Sequence, residues 1–74
     1  MVEDFSRYMN KPLPPVEVGG VYYNNVEMYE NPFTVKWIET VKDKFYAVCD
    51  HVDEFSGETV EVRVYAYYLS KRKE

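Results

Sequence analysis

The chain has 74 residues and a net charge of −4, with thirteen acidic residues, nine basic residues and one cysteine. This length allows one domain with one small core, and a single cysteine excludes an intramolecular disulfide. No apolar run approaches the roughly 18 residues of a membrane-spanning helix, and the acidic start of the chain differs from a signal peptide. We therefore expect a cytoplasmic protein.

Residues 1–15 are predicted to form an N-terminal arm and linker. Their apolar side chains, beginning with Val2 and Phe5, fall near helical spacing and predict one short helix. The proline-rich segment 11–15 would end that helix and favours an extended chain.

Residues 16–69 are predicted to form the folded body. The chain contains eight tyrosines, four phenylalanines and one tryptophan, and these residues recur in short alternating runs typical of half-buried strands. Residues 65–69 would close the body as a helical turn or a last strand, and residues 70–74 form a frayed basic tail. The four main predicted strands are Val18–Tyr23, Phe33–Val41, Phe45–Val52 and Thr59–Tyr65.

The last predicted hairpin has a register that the sequence can test. Val60, Val62 and Val64 alternate with polar residues, so they indicate one buried face. Pairing His51 with Val60 extends that face along the preceding strand. The opposite face then carries three cross-strand pairs: Tyr46 with Tyr65, Val48 with Arg63, and Asp50 with Glu61.

The second predicted strand is irregular and suggests a bend. A β-bulge at Trp37 and Ile38 would turn both side chains inward and release Glu39 to solvent. A bend of this kind is what a small closed barrel requires. We therefore predict a mainly all-β fold, a small SH3-like antiparallel barrel of four to five strands.

The sequence resembles small SH3-like barrel proteins encoded by bacteriophages and mobile elements. The resemblance spans about residues 19–69 and leaves the N-terminal segment outside. It implies a barrel fold and a phage-like origin, and it implies no catalytic residue. The matching segments are Gly20-Val21-Tyr22, Asn31-Pro32-Phe33 and Val41-Lys42-Asp43-Lys44-Phe45-Tyr46.

The outer side of the last hairpin is the candidate site. Asp50 opposite Glu61 would repel by roughly 0.2–1 kcal/mol, a cost tolerated for solubility or relieved by a cationic partner. Tyrosines offer contact area at low entropy cost, and carboxylates steer a charged partner. The predicted partner-binding residues are Tyr46, Asp50, Asp53, Glu54, Glu58, Glu61 and Tyr65.

We expect a non-enzymatic protein–protein interaction module that docks on a basic cellular protein. One specific form is a phage-type inhibitor or modulator of a host protein that normally holds nucleic acid. Without residues 71–74 the chain has twelve acidic and six basic residues, a charge of −6 that disfavours phosphate backbones. Two alternatives stay open: a nucleic-acid-binding barrel that uses tyrosine stacking and the basic tail, and a structural subunit that self-associates, for instance as a homodimer.

Catalysis and metal binding are expected to be absent. Cys49 and His51 share a strand face, but a cysteine among valines behaves as a small hydrophobic residue with a high pKa. Cys49, His51 and Asp53 supply three of the four ligands that zinc prefers. We predict no cofactor, no metal site and no membrane partner.

Overall fold

The computed structural model describes residues 13–74, and within this range the chain forms five antiparallel strands. The prediction of an all-β fold is therefore confirmed, whereas the predicted N-terminal helix falls on residues outside the described range. A single turn of 3₁₀ helix at Ala66–Tyr68 connects the last two strands. The strands are β1 (Val21–Asn24), β2 (Phe33–Val41), β3 (Lys44–Val52), β4 (Thr59–Tyr65) and β5 (Leu69–Ser70).

The strands form one open sheet in the order β4-β3-β2-β1-β5. Within residues 13–74, β4 and β5 are therefore the two edges, and no backbone ladder joins them. The predicted second and fourth strands match β2 and β4, and the segment after β4 contains both a helical turn and a short strand. β1 begins later than predicted, because Gly19 has a φ of +87° and the Gly20 N–H closes a turn on the Glu17 carbonyl at 3.0 Å.

The connection between β2 and β3 is a tight two-residue turn. Lys42 and Asp43 have φ values of +48° and +68°, and the flanking residues Val41 and Lys44 are paired. Positive φ at both central residues is the signature of a type I′ turn, whose twist matches that of the flanking strands. The short connection left between the predicted strands Phe33–Val41 and Phe45–Val52 is therefore a turn, with Lys44 already part of β3.

The register between β3 and β4 is the one predicted. His51 pairs with Val60, and the outer pairs are Tyr46 with Tyr65, Val48 with Arg63, and Asp50 with Glu61. The predicted valine face is buried only in part. Val64 is buried and Val62 half-buried, but Val60 is 38 % exposed because the core thins towards the start of β4.

The bulge in β2 lies one residue earlier than predicted. Val35 pairs with Cys49 and Trp37 with Val48, so Lys36 is the extra residue. The prediction that Trp37 points inward is wrong: the bulge turns it to the outer face, where it is 43 % exposed. Ile38 pairs with the buried Ala47 on the core side, as predicted.

The core lies against the inner side of the sheet and draws on most elements. Its two buried polar residues are satisfied locally: the Asn24 amide bonds with Glu27, and His51 faces two oxygen acceptors. Among the described residues, no buried side-chain nitrogen or oxygen lacks a hydrogen-bond partner. The core residues are Val16, Tyr22, Phe33, Val35, Ala47, Cys49, Val64, Ala66 and Leu69.

The basic tail lies along the β1–β2 loop. The Asn25 amide donates to the Arg72 carbonyl at 2.7 Å and accepts from the Glu74 N–H at 2.9 Å. Lys73 forms an ion pair with Glu30 at 3.0 Å. The tail is therefore held by contacts that its composition did not indicate, and one of its three cations is paired internally.

Gly20→Ala should destabilise the fold by about 1–3 kcal/mol through overpacking. A Cβ at Gly20 would lie 2.6 Å from the ring of Tyr22, which is buried and accepts a hydrogen bond from the Glu17 N–H. The control is Gly57→Asn, since nothing lies within 4 Å of that site and asparagine tolerates its positive φ. Urea unfolding measures both variants, and a Gly20→Ala variant as stable as wild type would contradict the packing described.

Candidate functional site

The candidate site is the side of β2, β3 and β4 that faces away from the core, here called the outer face. Strand alternation and the bulge in β2 together decide which side chains reach it. Val48 lies at its centre and is buried between Trp37 on β2 and Arg63 on β4. The outer face comprises Lys36, Trp37, Glu39, Tyr46, Val48, Asp50, Glu61, Arg63 and Tyr65.

One half of the outer face continues into a tyrosine cluster, formed by Tyr46, Tyr65, Tyr67 and Tyr68. The ring of Tyr65 lies 5.6 Å from that of Tyr46, 4.9 Å from Tyr67 and 5.4 Å from Tyr68. The Arg63 guanidinium lies 5.1 Å from the Tyr46 ring centroid, within the range of a cation–π contact. Tyr67 and Tyr68 keep 47 % and 37 % of their surface exposed, so the cluster presents aromatic area to solvent.

The other half of the outer face carries carboxylates, and Lys36 lies between them. Its ammonium contacts Glu61 at 2.6 Å and Asp50 at 3.5 Å. The hydrogen bond with Glu61, together with the charge of Asp50, raises the pKa of Lys36. The predicted repulsion between Asp50 and Glu61 is thus relieved inside the molecule, by the residue that the bulge adds.

A second ion pair ties β4 to β2 across the outer face. Arg63 donates to Glu39 at 3.2 Å, and the Trp37 indole N–H donates to the other Glu39 oxygen at 3.4 Å. Arg63 and Glu39 keep 59 % and 39 % of their side-chain surface exposed, so the ion pair contributes little to stability but fixes the side-chain directions. Lys36 and Arg63 offset two of the three carboxylates on the outer face, leaving a formal charge of −1.

The three remaining predicted site residues lie in the β3–β4 loop, beyond the outer face. The Asp53 carboxylate accepts from the Ser56 N–H at 3.0 Å and shapes the loop. Glu58 lies exposed at the end of the loop. The structure therefore brings four predicted residues together, namely Tyr46, Asp50, Glu61 and Tyr65, and places Asp53, Glu54 and Glu58 apart from them.

Glu54 links two loops. Its carboxylate accepts from the backbone N–H groups of Glu30 at 2.8 Å and Asn31 at 3.2 Å, and it faces the His51 ring at 3.1 Å. The His51 ring stacks on Phe33, with centroids 4.0 Å apart. Partial desolvation of Glu54 acts to raise its pKa, but the hydrogen bonds from Asn31, His51 and Glu30 outweigh it and lower the pKa. Glu54 therefore holds the β1–β2 loop against the β3–β4 loop.

Cys49 is buried in the core and has no route to solvent in this arrangement. Desolvation, reinforced by the charge of Asp50, raises the pKa of its thiol to about 11. Because the thiolate is the reactive form, burial and this raised pKa disfavour reaction of Cys49 at neutral pH. Its high pKa and its place on the core face agree with what the sequence predicted.

Two features are absent from residues 13–74. There, no three His, Cys, Asp or Glu side chains lie close enough together to hold a metal ion. The same part of the chain contains no helix long and apolar enough to cross a bilayer.

Comparison with known proteins gave no relative. No protein-family model matches the chain, and neither the curated proteins nor the solved structures contain a significant match. The outer face is therefore interpreted from its own chemistry.

Sequence reasoning missed several residues of this surface. Trp37 was assigned to the core, and Lys36, Glu39, Tyr67 and Tyr68 were not proposed as site residues. The sequence carries no sign of a bulge at Lys36, because Phe33, Val35 and Trp37 alternate regularly with polar residues and the pattern first breaks at Ile38. An extra residue at Lys36 moves each later residue of β2 to the opposite side of the strand, so Trp37 faces outward. A bulge one residue later, as predicted, would leave Trp37 on the core side.

Glu54→Gln should lower the free energy of unfolding at neutral pH. In acid, the variant should be as stable as wild type. A lowered folded-state pKa means that ionised Glu54 stabilises the fold above its ordinary pKa of 4.5. This stabilisation disappears as the pH falls through the folded-state value, so the curves of wild type and variant should converge below about pH 4.5.

Urea midpoints measured between neutral and acidic pH check this prediction. Glu58→Gln, in the exposed part of the same loop, is the control and should track wild type at every pH. A constant difference between Glu54→Gln and wild type across this range would contradict the assigned role of the carboxylate.

Proposed function

We propose that this protein is a non-enzymatic protein–protein interaction module that binds its partner through the outer face and the adjoining tyrosine cluster. The observation that carries the proposal is the concentration of exposed Trp37, partly exposed tyrosines and Arg63 on one side of the sheet. Tryptophan, tyrosine and arginine are the residues most enriched at the energetic centres of protein interfaces.

The surface is suited to binding because its side chains are already ordered. The rings of Tyr46 and Tyr65 contact one another, and Arg63 and the Trp37 indole both bond to Glu39. These side chains all project from hydrogen-bonded strands. A pre-organised surface loses less conformational entropy on association. Tyrosine and tryptophan add large contact areas with few rotatable bonds.

Charge supports a partner with a basic surface. The outer face carries −1, and the neighbouring β3–β4 loop adds Asp53, Glu54 and Glu58 without a basic residue. Acidic groups at the rim would steer a basic partner and set its orientation, while the aromatic centre supplies affinity. A host protein site that normally binds nucleic acid has such a basic surface. This kind of site would be the target of a phage-type modulator.

We also propose that the sheet curls into an SH3-like barrel. The edges β4 and β5 lie four strand spacings apart in the sheet order, about 19 Å if the sheet were flat. Only the three residues of the 3₁₀ helix separate them, and such a helix advances about 6 Å. This short connection supports a sheet that curves until the end of β4 lies near the start of β5, while the rest of the β4 edge stays unpaired within residues 13–74.

Trp37→Ala should weaken partner binding about tenfold or more, because truncating a central aromatic residue removes most of the contact energy it provides. The control is Phe55→Ala, since Phe55 is 99 % exposed on the β3–β4 loop and lies off the outer face. Immobilised wild type and both variants are exposed to bacterial lysate at low and high salt, and captured proteins and nucleic acids are identified.

The proposal predicts a basic protein that wild type and Phe55→Ala retain, that Trp37→Ala loses, and that high salt weakens. Dissociation constants are then measured with the purified partner. Equal retention by Trp37→Ala, or capture of nucleic acid in place of protein, would overturn the proposal.

A further inference from the structure

The free edge of β4 is a second surface with the properties of a binding site. Within residues 13–74, β4 pairs with β3 on one side and has no strand on the other. Its seven residues form a long edge, whereas the opposite edge, β5, has only two. An exposed edge strand presents backbone N–H and C=O groups ready to pair with another strand.

The inner side of this edge is incompletely covered. A cleft of about 310 Å³ lies beside it and has a mixed lining. The apolar part consists of the three β4 valines, Phe33 and Tyr29, and the polar part of Glu27, His51, Asp53 and Arg63. Val60 points towards the core side, yet it is 38 % exposed. An added strand would cover apolar surface that the described residues leave open to water.

The side chains of β4 are self-complementary in an antiparallel pairing. When two copies of β4 run antiparallel with Val62 opposite Val62, residues 61 and 63 face each other across the interface. Each Glu61 then lies opposite Arg63 of the second copy, and the two-fold axis repeats this pair. Val60 lies opposite Val64 on the core side, and Thr59 opposite Tyr65 on the outer side.

The two charged side chains are accessible for these contacts. Glu61 and Arg63 keep 52 % and 59 % of their side-chain surface exposed despite their pairing with Lys36 and Glu39. Opposite charges directly across an antiparallel pair are favourable, and like charges are not.

We propose that the protein forms a two-fold symmetric homodimer by antiparallel pairing of β4 about Val62. The two sheets become one continuous sheet, and the exposed Val60 of each copy lies beside Val64 of the other. This inference is independent of the proposed partner, because it concerns the edge of the sheet rather than the exposed rings. The dimer places two outer faces side by side on one surface.

The test uses two charge reversals of the full chain, Glu61→Arg and Arg63→Glu. Alone, each variant would place two like-charged pairs across its own interface. Its self-association should therefore be about tenfold weaker than that of wild type, or undetectable. In an equal mixture, the new arginine of one variant would lie opposite the new glutamate of the other. The unchanged Arg63 and Glu61 would also face each other, so both attractive pairs are restored. Sedimentation equilibrium from low micromolar to near-millimolar concentration measures the mass of each sample.

The proposal expects a concentration-dependent dimer of wild type, self-association about tenfold weaker or undetectable in each single variant, and a dimer in the mixture. Circular dichroism confirms that each variant is folded, and recovery in the mixture itself shows that neither variant lost the strand. Wild type that stays monomeric would overturn the proposal, as expected if the edge is occupied by residues 1–12 or reserved for another protein. Single variants that dimerise like wild type would also overturn it, because the contact would then lie elsewhere.

Discussion

The extra residue in β2 is the feature on which the surface of this protein depends. In a regular strand, Phe33, Val35, Trp37 and Glu39 would share one side, so the tryptophan and the carboxylate would face the core. Because Lys36 is inserted, the alternation reverses after Val35. Ile38 then enters the core opposite Ala47, and Trp37 and Glu39 reach the outer face.

The same insertion determines the charge pattern of the outer face. Lys36 reaches Asp50 and Glu61 on the next two strands, and Glu39 meets Arg63. The facing carboxylates therefore do not need an external cation. The surface has aromatic residues on one half, paired ions beside them and acidic charge on the adjoining loop. The proposed binding role rests on this arrangement, because interfaces combine aromatic residues with a polar rim.

Local patterns predicted β2, β4 and the register between β3 and β4 correctly, and the start of β3 to within one residue. The strict alternation of Val60, Val62 and Val64 left one sensible pairing with β3, because a shift by one residue would have buried Asp50. A turn at Lys42 and Asp43 could be expected because very few residues separate the second and third predicted strands. In each case the information lies within one hairpin.

The errors arose where the outcome depends on distant residues. Trp37 is an apolar residue in a regular alternation, which favoured a place in the core. Only its pairing with Val48 shows that it lies on the outer face. Glu54 looked like one acid among several, but it bonds to backbone groups of Glu30 and Asn31 more than twenty residues away. The position of β5 beside β1 likewise depends on the whole sheet.

Collisional quenching of tryptophan fluorescence tests the central claim most directly, since Trp37 is the only tryptophan in the chain. With Trp37 on the outer face, acrylamide should quench the native protein readily, at a rate approaching that of the urea-unfolded chain. Strong protection of the native fluorescence, released only on unfolding, would mean that Trp37 is buried and that the outer face described above does not exist.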